Sequence, residues 1–209
     1  MIFIRLWMFF AGVLATLFLG WAALIGVPSI QLRSIPPQPG LRPYTYQQAH
    51  GREIFIREGC VYCHTQQTRP PGFGGDQGRR WGRPSVPGDY AYDQPHLLGT
   101  SRTGPDLLNI AARQPAPDWH FAHLFNPRML APKSVMPPFP WLFEARTSTG
   151  PEDVVVDVAP TFRTGPGTFV PTIEGRDLVE FLLAMNHTYP VAALIPAPDG
   201  RGSGQTVRP

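Results

Sequence analysis

The most apolar part of the chain is a run of 22 uncharged residues near its start, from Leu6 to Val27. With a rise of about 1.5 Å per residue, a helix of this length crosses a hydrocarbon core of about 30 Å. The pattern therefore predicts a transmembrane helix over residues 6–27, preceded by a short segment of residues 1–5.

A cleaved secretory signal is the alternative interpretation of this run. Such signals have a shorter apolar region of about 7–15 residues, and small residues mark their cleavage site. The run observed here is longer, and its end, ALIGVPSIQ, has no clear pattern of that kind. The sequence therefore favours an uncleaved membrane anchor.

A proline-rich spacer and a helix follow the anchor. Residues 28–43 are predicted to be stiff and extended, because proline fixes φ and lacks a backbone donor. The helix begins at Thr45, where Gln48 completes a capping-box pattern, and Gly59 is placed to end it. Gly51 costs this helix about 1 kcal/mol relative to alanine, so we expect a second helix to cross it closely there.

A second amphipathic helix is predicted near the end of the chain, before Pro190. Its apolar positions follow the spacing i, i+3, i+4, i+7 and are Leu178, Phe181, Leu182 and Met185. This helix is the expected partner for the crossing at Gly51. Residues 191–209 are rich in glycine and polar residues, and we expect them to be disordered.

Composition adds two constraints. The 26 prolines and 21 glycines among 209 residues indicate many irregular connections rather than long regular elements. The net charge of +3 is a mild basic excess that does not by itself indicate nucleic-acid binding.

The candidate chemistry lies directly after the first predicted helix, in the motif Cys60-x-x-Cys63-His64. This spacing is the signature of c-type haem attachment, in which two thiols hold the haem and the histidine ligates its iron. A structural zinc site needs four ligands, and the chain offers only His120 and His123 to complete one. A thioredoxin-like redox dithiol normally lies within a βαβ sequence pattern, whereas residues rich in glycine and proline flank this motif. Haem c is the favoured interpretation, and zinc and a dithiol remain alternatives.

A haem that transfers electrons needs a second axial ligand, and methionine raises its reduction potential. Met136 lies in KSVMPPFPW, where prolines stiffen an irregular segment, and it is our prediction. Met129 is the alternative, whereas Met185 is expected to pack in the core. The histidines considered in its place are His96, His120 and His123.

Residues 69–89 form a loop rich in glycine and arginine. Its arginines are Arg69, Arg79, Arg80 and Arg83. Their guanidinium groups match the carboxylates of haem propionates or of an acidic partner. A solvated basic loop is an equally good interpretation of any one of them.

Three stretches together resemble one family: GREIFIREGCVYCHTQQTRP, YDQPHLLGTSRTGPDL and DWHFAHLFNPRMLAPKSVMPPFPWLF. They look like the mono-haem subunit II of cbb3-type cytochrome c oxidases, the FixO or CcoO family. The resemblance covers residues 44–143. Gln66, Arg69 and the runs at 101–107 and 135–142 distinguish it from cytochromes in general.

The resemblance implies a mainly α fold, with one transmembrane helix and a class I cytochrome c-like periplasmic domain with long irregular loops. The domain would span residues 44–190. One haem c would be held covalently by Cys60 and Cys63, with its iron ligated by His64 and Met136.

The resemblance also implies roles for residues around the haem. The carbonyl of Pro105 would accept a hydrogen bond from His64. Arg102 would contact a haem propionate or a neighbouring subunit, and a Ca²⁺ would lie near Ser101 at the subunit interface.

Function follows from the same resemblance. The chain would pass electrons from a cytochrome c to the haem-copper subunit I that reduces oxygen, beside a dihaem subunit of the same complex. It would be anchored in the bacterial inner membrane, with its domain in the periplasm and residues 1–5 in the cytoplasm. The alternatives are the mono-haem subunit of a nitric oxide reductase and a free membrane-anchored cytochrome c.

Overall fold

The computed structural model describes residues 2–68, 78, 79, 81–163, 165 and 167–191, with side chains from residue 5 onward. Two of the loop arginines, Arg69 and Arg80, lie outside the described residues. The same is true of the predicted disordered tail, except for its first residue, Val191.

A long helical segment forms the N-terminal part of the chain. It consists of α1 (Ile2–Trp21), a π-helical turn (Ala22–Gly26) and α2 (Val27–Arg33). An 18-residue window within residues 5–33 has a mean hydropathy of 2.2, and none of residues 5–33 is buried against the rest of the chain. This helix is long and apolar enough to cross a membrane.

The helix continues past Val27, so the prediction of an extended chain from residue 28 is wrong for residues 28–33. Pro28 lies in the first turn of α2, directly after the π-helical turn, where the Val27 amide donates to the Ala22 carbonyl. The wider π turn accommodates the proline ring, which would clash with the preceding turn of a regular α-helix.

The remainder of the spacer lies against the folded part of the chain. The Gln38 amide donates to the Gly88 carbonyl at 3.2 Å. A Cβ atom on Gly40 would lie only 2.4 Å from Cγ of Tyr189. The spacer is therefore held by backbone and ring contacts on two separate loops.

The helix that precedes the cysteine motif is α3 (Tyr46–Arg57), and the sequence predicted its ends correctly. The Thr45 hydroxyl accepts from the Gln48 amide at 3.3 Å, and the Gln48 side chain accepts from the Thr45 amide at 3.0 Å. After the last turn, Gly59 adopts a φ of 75°, the left-handed conformation that favours glycine. The chain therefore turns sharply just before Cys60.

The C-terminal helix α6 (Ile173–Ala184) crosses α3 at Gly51, as predicted. A Cβ atom on Gly51 would lie 1.8 Å from the Asp177 carbonyl oxygen. Only glycine permits this approach between the two backbones. The predicted apolar face of the helix is buried, and its members are Leu178, Phe181, Leu182 and Met185.

Short elements complete a mostly helical chain. They include α4 (Ile110–Arg113), α5 (Pro117–Phe125) and two antiparallel strands, β1 (Phe143–Arg146) and β2 (Thr168–Pro171). Single 3-10 turns are found at Cys60–Tyr62, Pro87–Tyr90, Pro127–Met129, Pro140–Leu142 and Pro160–Phe162. The sequence did not predict the strand pair. Its inner residues, with aromatic side chains from α3, α5 and α6, form one hydrophobic core.

Candidate functional site

The cysteine motif forms one tight turn after α3. The amide of Cys63 donates to the Cys60 carbonyl at 3.2 Å, and the amide of His64 donates to the same carbonyl at 2.9 Å. The two cysteines do not form a disulfide bond with each other. The Cys60 side chain is half-buried, and the Cys63 side chain is exposed. Burial, with a smaller effect of Glu58, raises the pKa of the Cys60 thiol to about 12. Because no disulfide joins them, both sulfur atoms are available to bond a covalent partner.

The His64 ring is fixed by the segment that passes beneath it. Its Nδ1 lies 2.8 Å from the Pro105 carbonyl oxygen, so Nδ1 carries the proton and donates it. Burial is the main cause that lowers the pKa of His64, and it outweighs the opposing effect of the Pro105 hydrogen bond. The neutral ring then keeps a lone pair on Nε2, which is the form that ligates a metal.

Gly104 brings the backbone against the face of this ring. A Cβ atom there would lie 2.1 Å from Cε1 and 2.5 Å from Nε2 of His64. The Gly104 amide also donates to the Cys63 carbonyl at 3.0 Å, which joins this segment to the cysteine turn. Gly104 was not among the residues predicted from the sequence, although its position directly before Pro105 was a usable signal.

Residues 101–106 are held in place by hydrogen bonds at both ends. The Ser101 carbonyl accepts from the Thr65 hydroxyl at 2.5 Å. The Asp106 carboxylate accepts from Arg102 at 2.8 Å, and its other oxygen accepts from the Leu108 amide at 2.8 Å. The predicted residues Arg102 and Pro105 thus lie in the segment that holds His64, with Arg102 paired to Asp106.

Gln66 has a structural role that the sequence did not assign. Its amide donates to the Leu97 carbonyl at 3.1 Å, and its carbonyl accepts from the Gly99 amide at 2.9 Å. These bonds connect the chain just after His64 to residues 97–99. Its neighbour Arg69 lies outside the described residues.

Met136 lies in an irregular segment between α5 and β1. It is half-buried, and its side chain packs against the core. The Phe139 amide donates to the Leu124 carbonyl at 2.9 Å, which holds this segment beside the last turn of α5. Met129, the alternative, lies at the end of a 3-10 turn, whereas Met185 is buried in the core, as predicted.

The three candidate histidines differ in their surroundings. His96 is half-buried. His120 is 2% exposed, and its Nε2 is bonded to the Gln114 carbonyl at 2.8 Å. His123 is half-buried and its Nδ1 is fully buried, but that nitrogen has no hydrogen-bond partner.

Two of the loop arginines that the structure describes make internal contacts. Arg83 donates to both carboxylate oxygens of Asp89, at 2.8 and 2.7 Å, which gives it a structural role. Arg79 lies over the Trp81 ring at 4.9 Å from its centroid, and Arg113 contacts the same ring at 4.3 Å.

These observations fit a haem at the cysteine turn. Two unbonded thiols lie on one turn, a neutral imidazole follows them, and a buried ring nitrogen on His123 has no partner. Within the described ranges, no three His, Cys, Asp or Glu side chains form a group that suits a metal ion. That observation gives no support to the zinc alternative, and the Ca²⁺ near Ser101 stays a prediction.

Over its described residues the chain is mostly helical, with one helix long and apolar enough to cross a membrane. The family model "Cytochrome C oxidase, mono-heme subunit/FixO" matches residues 4–162. The chain therefore belongs to this family of cytochrome c oxidase subunits. Membership implies a haem cofactor, partner subunits and a role in electron transport. Comparison with curated proteins gives no match.

Proposed function

We propose that this chain is the haem c electron-transfer subunit of a cbb3-type terminal oxidase. In this proposal it relays single electrons from a cytochrome c to a haem-copper subunit, which reduces oxygen. The observation that carries the proposal is the arrangement of His64: its Nδ1 is bonded to Pro105 at 2.8 Å, directly after two unbonded cysteines. Family membership adds the oxidase context.

Each residue of the site would have a defined task. Cys60 and Cys63 would hold the haem by thioether bonds, and His64 and Met136 would ligate the iron. When bound, the haem supplies a centre that takes up and releases one electron. Pro105 would fix the tautomer and orientation of His64, because its carbonyl accepts the Nδ1 proton.

Arg102 is proposed to be the cation nearest a propionate. Its side chain is 11% exposed and its guanidinium is already bonded to Asp106 at 2.8 Å, so its position is fixed before any haem carboxylate approaches. A guanidinium group that is already held in one position loses little side-chain entropy when it binds a carboxylate.

The proposed location is the bacterial inner membrane, with the haem domain in the periplasm. The apolar helix over residues 5–33 supports an anchor. Tethering beside the other subunits raises the effective concentration of the haem at its electron acceptor. We propose a dihaem cytochrome c subunit and the haem-copper subunit I as its partners.

Purification of the full chain from its native membranes in mild detergent tests the proposal. We expect a haem-stained band of about 23.2 kDa after denaturing electrophoresis, in a copper-containing complex that consumes oxygen. The double variant Cys60→Ser/Cys63→Ser is the control, and its band should lose the stain because no thiol remains to hold the haem.

Three results would contradict the proposed function. A copper-free complex that reduces nitric oxide would assign the chain to a nitric oxide reductase. A haem-stained chain that purifies alone would indicate a free carrier. Zinc without haem stain would replace the haem site by a structural metal site.

A further inference from the structure

We propose that the hydrogen bond from Trp141 to Glu58 keeps Met136 on the haem iron, because it ties the segment that carries the methionine to the start of the cysteine turn. We call residues 136–142 the methionine segment. The inference rests on the proposed function, since it takes Met136 to ligate a haem held at the cysteine turn. Trp141 is then a positioning residue, which acts on the iron through another side chain.

The hydrogen bond itself is the first observation. The indole Nε1 of Trp141 donates to the Oε2 atom of Glu58 at 2.9 Å. Trp141 follows Met136 by five residues, and Glu58 precedes Cys60 by two. The bond therefore joins the two parts of the chain that the proposed function brings together at one haem, although its two residues are 83 positions apart.

Glu58 is an acceptor with a fixed position. Its amide donates to the Ile54 carbonyl at 2.8 Å and so closes the last turn of α3. Its side chain is largely buried. The second carboxylate oxygen, Oε1, accepts from Nε of Arg57 at 3.0 Å. Because both oxygens have a partner, the carboxylate is held in one orientation toward the indole.

The methionine segment is stiff enough to pass this constraint to Met136. Three of the four residues between Met136 and Trp141 are prolines, whose rings fix φ. Beyond Trp141, the Leu142 carbonyl accepts from the amide and the hydroxyl of Thr172, at 2.9 and 3.0 Å. A displacement of the indole would therefore move Met136, because the chain between them has few torsions that can absorb it.

The exposure of Trp141 makes the hydrogen bond its main fixed contact. The residue is 58% exposed, and its ring packs edge to face on the buried Phe139, with centroids 5.4 Å apart. A ring at the surface contributes little apolar burial to the core. A hydrogen bond to an ionised carboxylate is stronger than one between neutral groups. Loss of the N–H group should therefore change the tie more than it changes the core.

The expected consequence concerns the iron–sulfur bond. Without the tie, the methionine segment gains conformations in which the sulfur is away from the iron. Imidazole binds ferric haem by displacing the methionine sulfur, so its affinity rises with the fraction of molecules in which the sulfur is away. The imidazole affinity of the ferric chain thus measures how firmly Met136 is held.

The test is imidazole titration of the ferric full chain in detergent. Loss of the weak red charge-transfer band typical of methionine-ligated ferric haem reports the displacement. Trp141→Phe keeps a ring against Phe139 but removes the N–H, and we expect imidazole to bind at least about tenfold more tightly, as for the loss of a hydrogen bond to a charged group. Glu58→Gln retains a neutral acceptor, so its increase should be smaller.

Two further variants separate positioning from a general loss of stability. The double variant Trp141→Phe/Glu58→Gln should match Trp141→Phe, because the acceptor has no effect on this bond once the donor is gone. Glu144→Gln is the matched control for the lost charge. Its carboxylate accepts from Arg146 at 3.0 Å, and we expect its replacement to leave the imidazole affinity unchanged.

Two results would overturn the inference while leaving ligation by Met136 intact. One is an unchanged imidazole affinity in Trp141→Phe, and the other is additive effects of the two single variants. If Trp141→Phe binds no haem, Glu58→Gln decides: a higher affinity supports the inference and an unchanged affinity overturns it. A wild-type chain without haem would overturn the proposed function itself.

Discussion

At the scale of single residues, His64 is the most constrained side chain of the site. Pro105 fixes one nitrogen of its ring, and Gly104 leaves no room for a side chain on the ring face. Such constraints hold a ligand in one orientation before any metal binds, which lowers the entropy lost on ligation.

Replacement of Met136 tests the second proposed ligand of the haem iron. We expect Met136→Ala to abolish the weak red charge-transfer band typical of methionine-ligated ferric haem, because the iron loses its sulfur ligand. The midpoint potential should fall within the roughly 0.8 V that axial ligands span. Absorption spectroscopy and potentiometry of the ferric complex measure both effects.

Met129→Ala is the control for this prediction. Met129 lies at the end of a 3-10 turn, and we expect its replacement to leave the band in place. Loss of the band in Met129→Ala and its retention in Met136→Ala would reverse the assignment of the ligand.

The residues of the proposed site come from the sequence, whereas their contacts come from the fold. Cys60, Cys63 and His64 follow from a spacing that few other chemistries require. The close approach of Gly104 to His64 joins segments about 40 residues apart in the chain, and only the folded backbone brings them together. The unpartnered nitrogen of His123 could not be predicted for the same reason, since a missing hydrogen-bond partner is a property of the fold.

At the scale of elements, the crossing of α3 and α6 positions the cysteine turn. The two backbones meet at Gly51, and the Phe55 and Phe181 rings pack edge to face with centroids 5.5 Å apart. Because α3 ends at Arg57, the crossing fixes the direction in which the chain enters the turn at Cys60.

Gly51→Ala tests this crossing. The added Cβ would meet the Asp177 carbonyl oxygen at 1.8 Å, so the helices must separate. We expect a loss of about 3 kcal/mol or more in the free energy of unfolding, the upper end for overpacking. Chemical denaturation followed by circular dichroism measures it.

The control is Gln47→Ala, at an exposed position of the same helix. It should change the free energy of unfolding by less than about 0.5 kcal/mol. If Gly51→Ala were as stable as the wild type, the backbones of the two helices would be further apart at Gly51 than in the structure.

Local signals explain which elements were predictable. The capping box of Thr45 and Gln48 and the left-handed Gly59 act within a few residues, so the sequence displays them directly. The strands β1 and β2 are four residues each, and their pairing joins Phe143 to Pro171. Such short strands have no period long enough to recognise, and their stability comes from the core beneath them.

At the scale of the whole molecule, a buried carboxylate connects three distant parts of the chain. Asp89 is 1% exposed and accepts from both Arg83 nitrogens and from the Tyr189 hydroxyl at 2.7 Å. Tyr189 in turn packs against Gly40 of the spacer. The cluster thus links the segment after α6 to the loop after the cysteine motif and to the segment that leads from the membrane helix.

No local sequence pattern predicts this cluster. Arg83 was one of four arginines in a basic loop, and the sequence favoured neither a solvated nor a ligand-binding role for it. Its partners lie 6 and 106 positions away. The composition shows an excess of cationic residues, but the fold decides which of them pairs with a carboxylate.

Asp89→Asn tests the cluster, because it removes the negative charge and leaves Arg83, whose side chain is 14% exposed, without its counter-ion. We expect a loss of about 3 kcal/mol in the free energy of unfolding, since an unpaired buried charge is costly. Urea denaturation at neutral pH measures it. Glu174→Gln is the control: its partner Arg57 is half exposed, and surface ion pairs contribute little.

The pH dependence of the Asp89→Asn effect shows whether charge is responsible. Burial raises the pKa of Asp89, but hydrogen bonds from Arg83, Val86 and Tyr189 outweigh it and hold the pKa below the ordinary value of 3.8. As the pH falls, the carboxyl of Asp89 therefore takes up its proton in the unfolded state before it does so in the native state. The contribution of ionised Asp89 to the free energy of unfolding is fully present above pH 3.8, and it is lost as the pH falls through the lower native pKa. The difference between wild type and variant should accordingly be constant near neutral pH and shrink in strong acid. A difference that does not shrink would mean that the asparagine acts through packing rather than through the lost charge.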